Sequence, residues 1–257
     1  MATKVQPATQ QPLFILVRGL LGAYMPGHFK KVKADIQLSG AKAVIAPTDP
    51  AGTIFQNANR IARDLPKQID TGRRLVFLAH SKGGLETLGA LLASRALYNQ
   101  TNAVVLFQTP RRGAPYLKSL FQKEFPKDPV QSIRESIHKA ALTAILAKSA
   151  CQELATNDVL PFVKEIEDQP FTFPVFSYST FSTRNSGWIE LQANRISQIE
   201  PGKRNDGVFL TEDQVWQKFS HRELAEIDHA EPTVGSRRID ESLLWRNVLD
   251  ENGLLPS

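Results

Sequence analysis

Three residue types able to share one proton relay occur in order along this 257-residue chain: a serine at a break in hydrophobic periodicity, an aspartate in a turn and a histidine in a loop. Leu75 to Ala79 form a continuous apolar run, as in a strand covered on both faces, whereas Leu85, Leu88 and Leu92 recur at helical spacing. The period changes at Ser81. A serine at such a strand-to-helix corner is pressed against neighbouring backbone, so a glycine is needed two residues on, and Gly83 supplies it. Ala79 stands where the general G-x-S-x-G pattern has its first glycine, a small residue that still permits close packing. A serine hydroxyl is a poor nucleophile at neutral pH, so this corner does chemistry only if a base takes its proton and donors hold an oxyanion.

The chain offers His28, His80, His138, His221 and His229 as bases. His80 adjoins the serine, and successive side chains on a strand point to opposite faces, which excludes it. His28 and His138 lie outside the expected closing loops. Arg222 to Ile227 alternates like a last strand, with His221 at its amino end and His229 in the loop beyond its carboxyl end, closed by Pro232. Reacting groups of an open parallel sheet gather at carboxyl ends, which selects His229. Asn205-Asp206-Gly207 is a turn holding a carboxylate, although Asn-Asp-Gly also favours turns for conformational reasons alone. Asp228 and Asp213 compete as the acid, but Asp228 adjoins His229 and reaches its Nδ1 poorly.

The elements that must position these groups alternate. Leu13 to Val17 reads as a first strand running into Arg18-Gly19-Leu20-Leu21-Gly22, and Ala43 to Ala46 as a second, closed by Pro47. Thr53 starts a helix with Ile54, Ala58, Ile61 and Leu65 on one face, which Pro66 ends or kinks. The helix after Ser81 is expected to reach about Tyr98. Ala103 to Phe107 and Phe173 to Tyr178 are further strands, and a last helix is expected over roughly Ser236 to Asn252 with Ile239, Leu243 and Val248 on one face. Strands alternating with helices predict an α/β chain with a mostly parallel sheet. Residues 116 to 169 form a helical insertion with an apolar stripe of Ile133, Ile137, Ala141, Leu142 and Ile145. It reads equally as a lid over the serine or as ordinary helices packed on the sheet.

Length suits a single domain over 1–257 that buries roughly three-quarters of its unfolded surface. The composition, 42% apolar and 22% charged, contains no repeat or low-complexity tract, and no apolar run approaches the ~18 residues of a membrane span. No apolar signal core follows the polar start, so a cytoplasmic chain, or one exported without a cleavable signal peptide, is expected. Cys151 is alone, so no intramolecular disulfide forms. The net charge of +5 resides in scattered pairs such as Lys30-Lys31 and Arg111-Arg112, without a zinc-finger spacing or P-loop, so no nucleic-acid partner is expected.

Five ordered motifs carry a family resemblance: R-G-L-L-G at 18 to 22, A-H-S-K-G-G at 79 to 84, T-P-R-R-G-A-P at 109 to 115, N-D-G at 205 to 207 and D-H-A-E at 228 to 231. On them the sequence resembles the bacterial triacylglycerol-lipase group of α/β hydrolases. The resemblance implies the α/β-hydrolase fold, here without leading strands before Leu13. It also implies Ser81 as nucleophile, His229 as base, Asp206 as orienting acid, and the backbone N–H groups of Leu20 and Lys82 as oxyanion hole. The function it implies is hydrolysis of carboxylic esters, most readily acyl-lipid esters, without a cofactor. A small-molecule or lipid ester would be the substrate, and contact with a membrane surface transient. Rivals are a thioesterase or acyltransferase with the same triad, or a catalytically silent receptor or interaction protein. Two departures stand out: Arg18 replaces the family's histidine before Gly19, and Glu231 matches one carboxylate of the family's calcium site while no Asp lies between Phe171 and Asn205. No metal is therefore expected.

Overall fold

The computed structural model describes residues 11–20, 22, 25–69, 72–122, 136, 148–156, 159–185 and 187–255. Strands β1 (Leu13–Val17), β2 (Lys42–Ile45), β3 (Leu75–His80), β4 (Thr101–Phe107), β5 (Val175–Phe181) and β6 (Ser220–Ala225) make one sheet in the order β2-β1-β3-β4-β5-β6. Every pairing is parallel. Central strands of such a sheet need apolar residues on both faces, and these have them. Leu13, Ile15, Val17, Leu75, Phe77, Val104 and Leu106 enter one core, and Phe14, Leu16, Val76, Leu78, Val105 and Phe107 enter the other.

Helices α1 (Lys30–Leu38), α2 (Ile54–Asp64), α3 (Lys82–Ala93), α4 (Arg95–Gln100) and α5 (Pro115–Gln122) alternate with or follow the first four strands. α2 and α3 cover the first core with Ile54, Ile61, Leu85, Leu88 and Leu91. α1 and the last helix, Glu241–Glu251, cover the second with Val32, Ile36, Trp245, Val248 and Leu249. Thr53 starts α2 with a capping box: its Oγ accepts from Gln56 N at 3.2 Å and Gln56 Oε1 accepts from Thr53 N at 3.0 Å. The chain leaves β1 toward one edge of the sheet and returns through β3 to build the other, so the crevice between the carboxyl ends of β1 and β3 is its switch point.

Four expectations change. The helix after Ser81 stops at Ala93, because Ser94 is extended (φ −127°, ψ 100°) and its hydroxyl caps α4 instead. The last helix begins at Glu241, five residues after the expected start, because Asp240 caps it by accepting from Ser242 N at 3.0 Å. Leu243 is 53% exposed rather than packed with Val248, since five residues at 3.6 per turn put it about 140° around the helix. β5 runs on through Ser179 and Thr180, polar residues buried by pairing with β6.

Of the 116–169 insertion, its apolar stripe lies outside the described residues. The described flanks, α5 and the helices Lys148–Ala155 and Leu160–Asp168, place Leu117, Leu120, Leu154, Val163 and Ile166 in the first core. No helix among the described residues is long and apolar enough to cross a membrane.

Candidate active site

Ser81 sits between β3 and α3 with φ 57° and ψ −135°, a conformation that costs a non-glycine residue on the order of 1–3 kcal/mol. The fold holds it there by clamping both sides. Ser81 N donates to Phe107 O of β4 at 2.8 Å, and Gly84 N donates to Ser81 O at 2.9 Å. A Cβ at Gly83 would lie 2.5 Å from Arg18 O and 2.8 Å from Val17 O, which is backbone that cannot yield, so only glycine fits. The same crowding brings Gly19 against Ser81, since its Cβ would lie 2.8 Å from that of Ser81. The amide of Leu20 follows directly, and the amide of Lys82, first residue of α3, has no intrahelical acceptor. The positive end of α3 adds to the potential beside Ser81.

The structure brings Ser81, His229 and Asp206 into one relay. Asp206 is fully buried in the turn before the 3₁₀ segment Thr211–Gln214, and its Oδ1 accepts from Val208 N and Phe209 N, both at 2.8 Å. Its Oδ2 is 2.8 Å from His229 Nδ1. A carboxylate only accepts, so Nδ1 carries the proton and Nε2 presents its lone pair to the Ser81 hydroxyl at 2.9 Å. His229 N donates to Asp206 O at 2.8 Å, so the two residues are also pinned through the backbone. Phe209 closes one edge of the imidazole, its ring centroid 5.2 Å away.

The competing groups have other partners. Asp228 Oδ1 accepts from Ala230 N at 2.9 Å and Glu231 N at 3.1 Å, starting the short helix Glu231–Val234, and burial raises its carboxyl above the usual range. Asp213 faces Arg112 at 3.5 Å. His221, near the amino end of β6, lies between Ser177 Oγ (3.2 Å from Nδ1) and Ser179 Oγ (3.1 Å from Nε2). His138 lies outside the described residues. Glu231 accepts from Asp228 N at 2.9 Å, Ser236 Oγ at 2.6 Å and the Arg238 guanidinium at 2.9 Å, so its charge is already compensated. Among the described residues no three His, Cys, Asp or Glu side chains group as a metal site.

Two buried networks beside Ser81 had no part in the sequence reading. On the α2–α3 side, the Lys82 ammonium is ion-paired with Glu86 and donates to Gly52 O at 2.7 Å, while Asn57 Nδ2 donates to Glu86 Oε1 at 2.7 Å and to Asp49 O at 2.8 Å. Burial outweighs the attraction of Lys82 and pushes the Glu86 carboxyl up to about 7. The i,i+4 spacing of Lys82 and Glu86 was a visible signal, but such pairs are ordinarily solvated. On the other side, three imidazoles succeed one another, His28 to His80 at 5.6 Å and His80 to His229 at 4.8 Å between centroids. Burial and neighbouring Arg18 lower His28 to about 3, and burial takes His80 well below its ordinary value. His28 also lies under the Arg18–Gly22 loop, where a Cβ on Gly22 would meet its ring at 3.0 Å.

No family model and no curated protein matches the sequence. Solved structures do match its shape. The mature form of the Bacillus licheniformis lipase BlEst2 is 17% identical and superposes with a TM-score of 0.72 over 98% of this chain and 95% of that one. The metagenomic carboxyl esterase MGS0156 is 18% identical, with a TM-score of 0.69 over 97% of this chain and 80% of that one. The chain has the α/β-hydrolase fold. A third structure of that shape, the phospholipase PlaB from Legionella pneumophila, is 12% identical with a TM-score of 0.62, over 95% of this chain and 62% of that one.

Proposed function

We propose that the chain is a lipase-like serine hydrolase that cleaves carboxylic esters, acyl-lipid esters above all. The observation that carries this is the unbroken relay from Ser81 Oγ through His229 to buried Asp206, at the carboxyl ends of a parallel sheet. His229 Nε2 takes the serine proton as Oγ attacks the ester carbonyl, and Asp206 stabilises the imidazolium that forms. The Leu20 and Lys82 amides receive the developing oxyanion. The proton passes from His229 to the departing alcohol, and a water activated by the same imidazole then hydrolyses the acyl-enzyme. Every step uses only this chain and water. The acyl-lipid class is supported by the shared fold of BlEst2 and PlaB, and transient contact with a lipid surface goes with it.

The test pairs fluorophosphonate labelling with a chain-length series of p-nitrophenyl and glycerol esters. Labelling in the unaltered chain and none in Ser81→Ala, together with a rate that rises toward long acyl chains, is the expected result. Unaltered turnover in Ser81→Ala would remove the mechanism. A preference for acyl thioesters over oxygen esters would replace the substrate class but keep the triad.

A further inference from the structure

We infer that His80 and Gln108 are positioning residues for the base, gripping the backbone of the loop that carries His229 so that its ring stays aimed at Ser81. The inference rests on the proposed role of His229 and adds the parts that fix its place. Gln108 follows β4 and is fully buried, with φ 54°, a left-handed conformation that a non-glycine residue holds only under constraint. Its backbone N donates to Tyr178 O at 2.8 Å. Its side-chain Nε2 lies 3.0 Å from the carbonyl of Asp228 and 2.6 Å from Thr180 Oγ1. A carbonyl only accepts, so the nitrogen of the amide must face Asp228, and Oε1 is left facing His80 Nε2 at 2.9 Å. His80 Nε2 is also 2.9 Å from the carbonyl of His229 itself.

Two acceptors therefore converge on one imidazole nitrogen, and both require that it carry the proton. His80 is thereby fixed as the neutral Nε2–H tautomer, a donor shared between Gln108 Oε1 and His229 O. The carbonyls of Asp228 and His229, consecutive in the loop, are held by one side chain from the end of β3 and one from the residue after β4. The catalytic serine follows His80 directly, so the nucleophile and the grip on its base share one strand end. Thr180 of β5 braces Gln108 in turn. Of the four non-glycine residues with positive φ among the described residues, Ser81, Gln108 and Glu226 follow the carboxyl ends of strands β3, β4 and β6, which is where strain serves a site rather than a turn.

The test compares His80→Phe, which keeps a ring and loses the donor, with His80→Gln, whose amide presents two N–H groups near the position of Nε2. Active sites are counted by fluorophosphonate titration, so that rates refer to folded, competent protein. Expected for His80→Phe is a fall in kcat and in the phosphonylation rate constant of roughly 10- to 100-fold per titrated site. KM should stay within about twofold, because the contact is not one made to the substrate. His80→Gln should recover most of the rate. Gln108→Leu removes the same grip from the other side and should reproduce the His80→Phe pattern. A lower titrated fraction at an unchanged rate constant in both variants would overturn the inference, leaving these residues merely structural. In the unaltered chain, ¹⁵N shifts of the His80 ring should report a protonated Nε2 and a bare Nδ1 between about pH 5 and 8; a titrating ring or the opposite tautomer overturns the grip without any substitution. Absence of labelling in the unaltered chain, by contrast, would strike the proposed reaction and not this contact.

Discussion

On the α2–α3 side of Ser81 the buried polar groups are an ammonium and a carboxyl paired together, Lys82 against Glu86, whereas toward α1 and the last helix they are the imidazoles of His28 and His80, held neutral. Lys82 and Glu86 are both about 1% exposed, so each would be untenable alone and the pair is kept whole by Asn57 and the Gly52 carbonyl. The imidazoles need no counter-ion because burial denies them the proton. The difference follows from what lies between. In the proposed reaction His229 becomes an imidazolium, and a second cation at 4.8 Å would oppose it, so the neighbour that touches it is a neutral ring. The fixed ammonium sits on the other flank with its own carboxylate. Among the described residues, the carboxyl group bonded to the His229 ring is that of Asp206.

That arrangement is broken most severely by Asp206→Asn. The amide keeps the shape but not the charge, and it can hold the imidazole in the wrong tautomer, so kcat should fall by roughly 10³ to 10⁴. Stopped-flow ester hydrolysis reads it directly. A drop of two- or three-fold would mean that another carboxylate serves the base and that the neutral flank has been misjudged.

Next in size is the ion pair. Glu86→Ala strands a buried ammonium and should lower unfolding stability by about 3–5 kcal/mol, while the double change Lys82→Met with Glu86→Leu should recover most of it. Urea titration measures both. The pair also has a pH signature. Glu86 is raised from 4.5 to about 7, so its contribution is present below the unfolded value and is lost as pH rises through about 7. Glu86→Gln should flatten stability over that window.

His28 tilts stability the other way. Its folded value, lowered from 6.5 to about 3, gives a contribution present above the unfolded value and lost as pH falls through the window between them. His28→Gln should lose less stability than the unaltered chain between about pH 6.5 and 3, by a few kcal/mol when denaturation curves are compared. Parallel curves for the two proteins would show that the ring protonates freely and that this flank is not kept neutral by burial.

The central strands were legible because a parallel sheet writes itself as unbroken apolar runs, the edge strand β6 by its alternation, and the corner at Ser81 because the period changes within one residue. Ser81 and His229, far apart in sequence, could be paired because carboxyl ends of one parallel sheet share an edge, whereas Asp206 was reached through the family resemblance. What stayed hidden depends on contacts without a local pattern. Gln108 meets Asp228 across 120 residues, and nothing in its neighbours announces it. Lys82 and Glu86 show their spacing but not their burial, which α2 imposes from outside. The start of the last helix was misplaced because Ser236 and Asp240 are both acceptable caps, and only the fold shows that Ser236 turns back to bond Glu231.

The smallest expected effect belongs to the imidazole that, among the described residues, lies on neither flank. His221 is bonded to the hydroxyls of Ser177 and Ser179, and burial lowers its pKa. A histidine with those properties would pass as a base if environment alone decided the role. Position decides instead: it is the second residue of β6, at the amino end, whereas the Ser81 hydroxyl lies past the carboxyl end of β3 in a sheet whose strands all run the same way. His221→Ala removes two neutral hydrogen bonds on the edge strand and should lower stability by about 1–2 kcal/mol. The fluorophosphonate labelling rate of Ser81 should stay within about twofold, since neither the relay nor its backbone supports are touched. A tenfold slower labelling at full occupancy would mean that β6 communicates with the base through β5, and the site would then extend across the sheet.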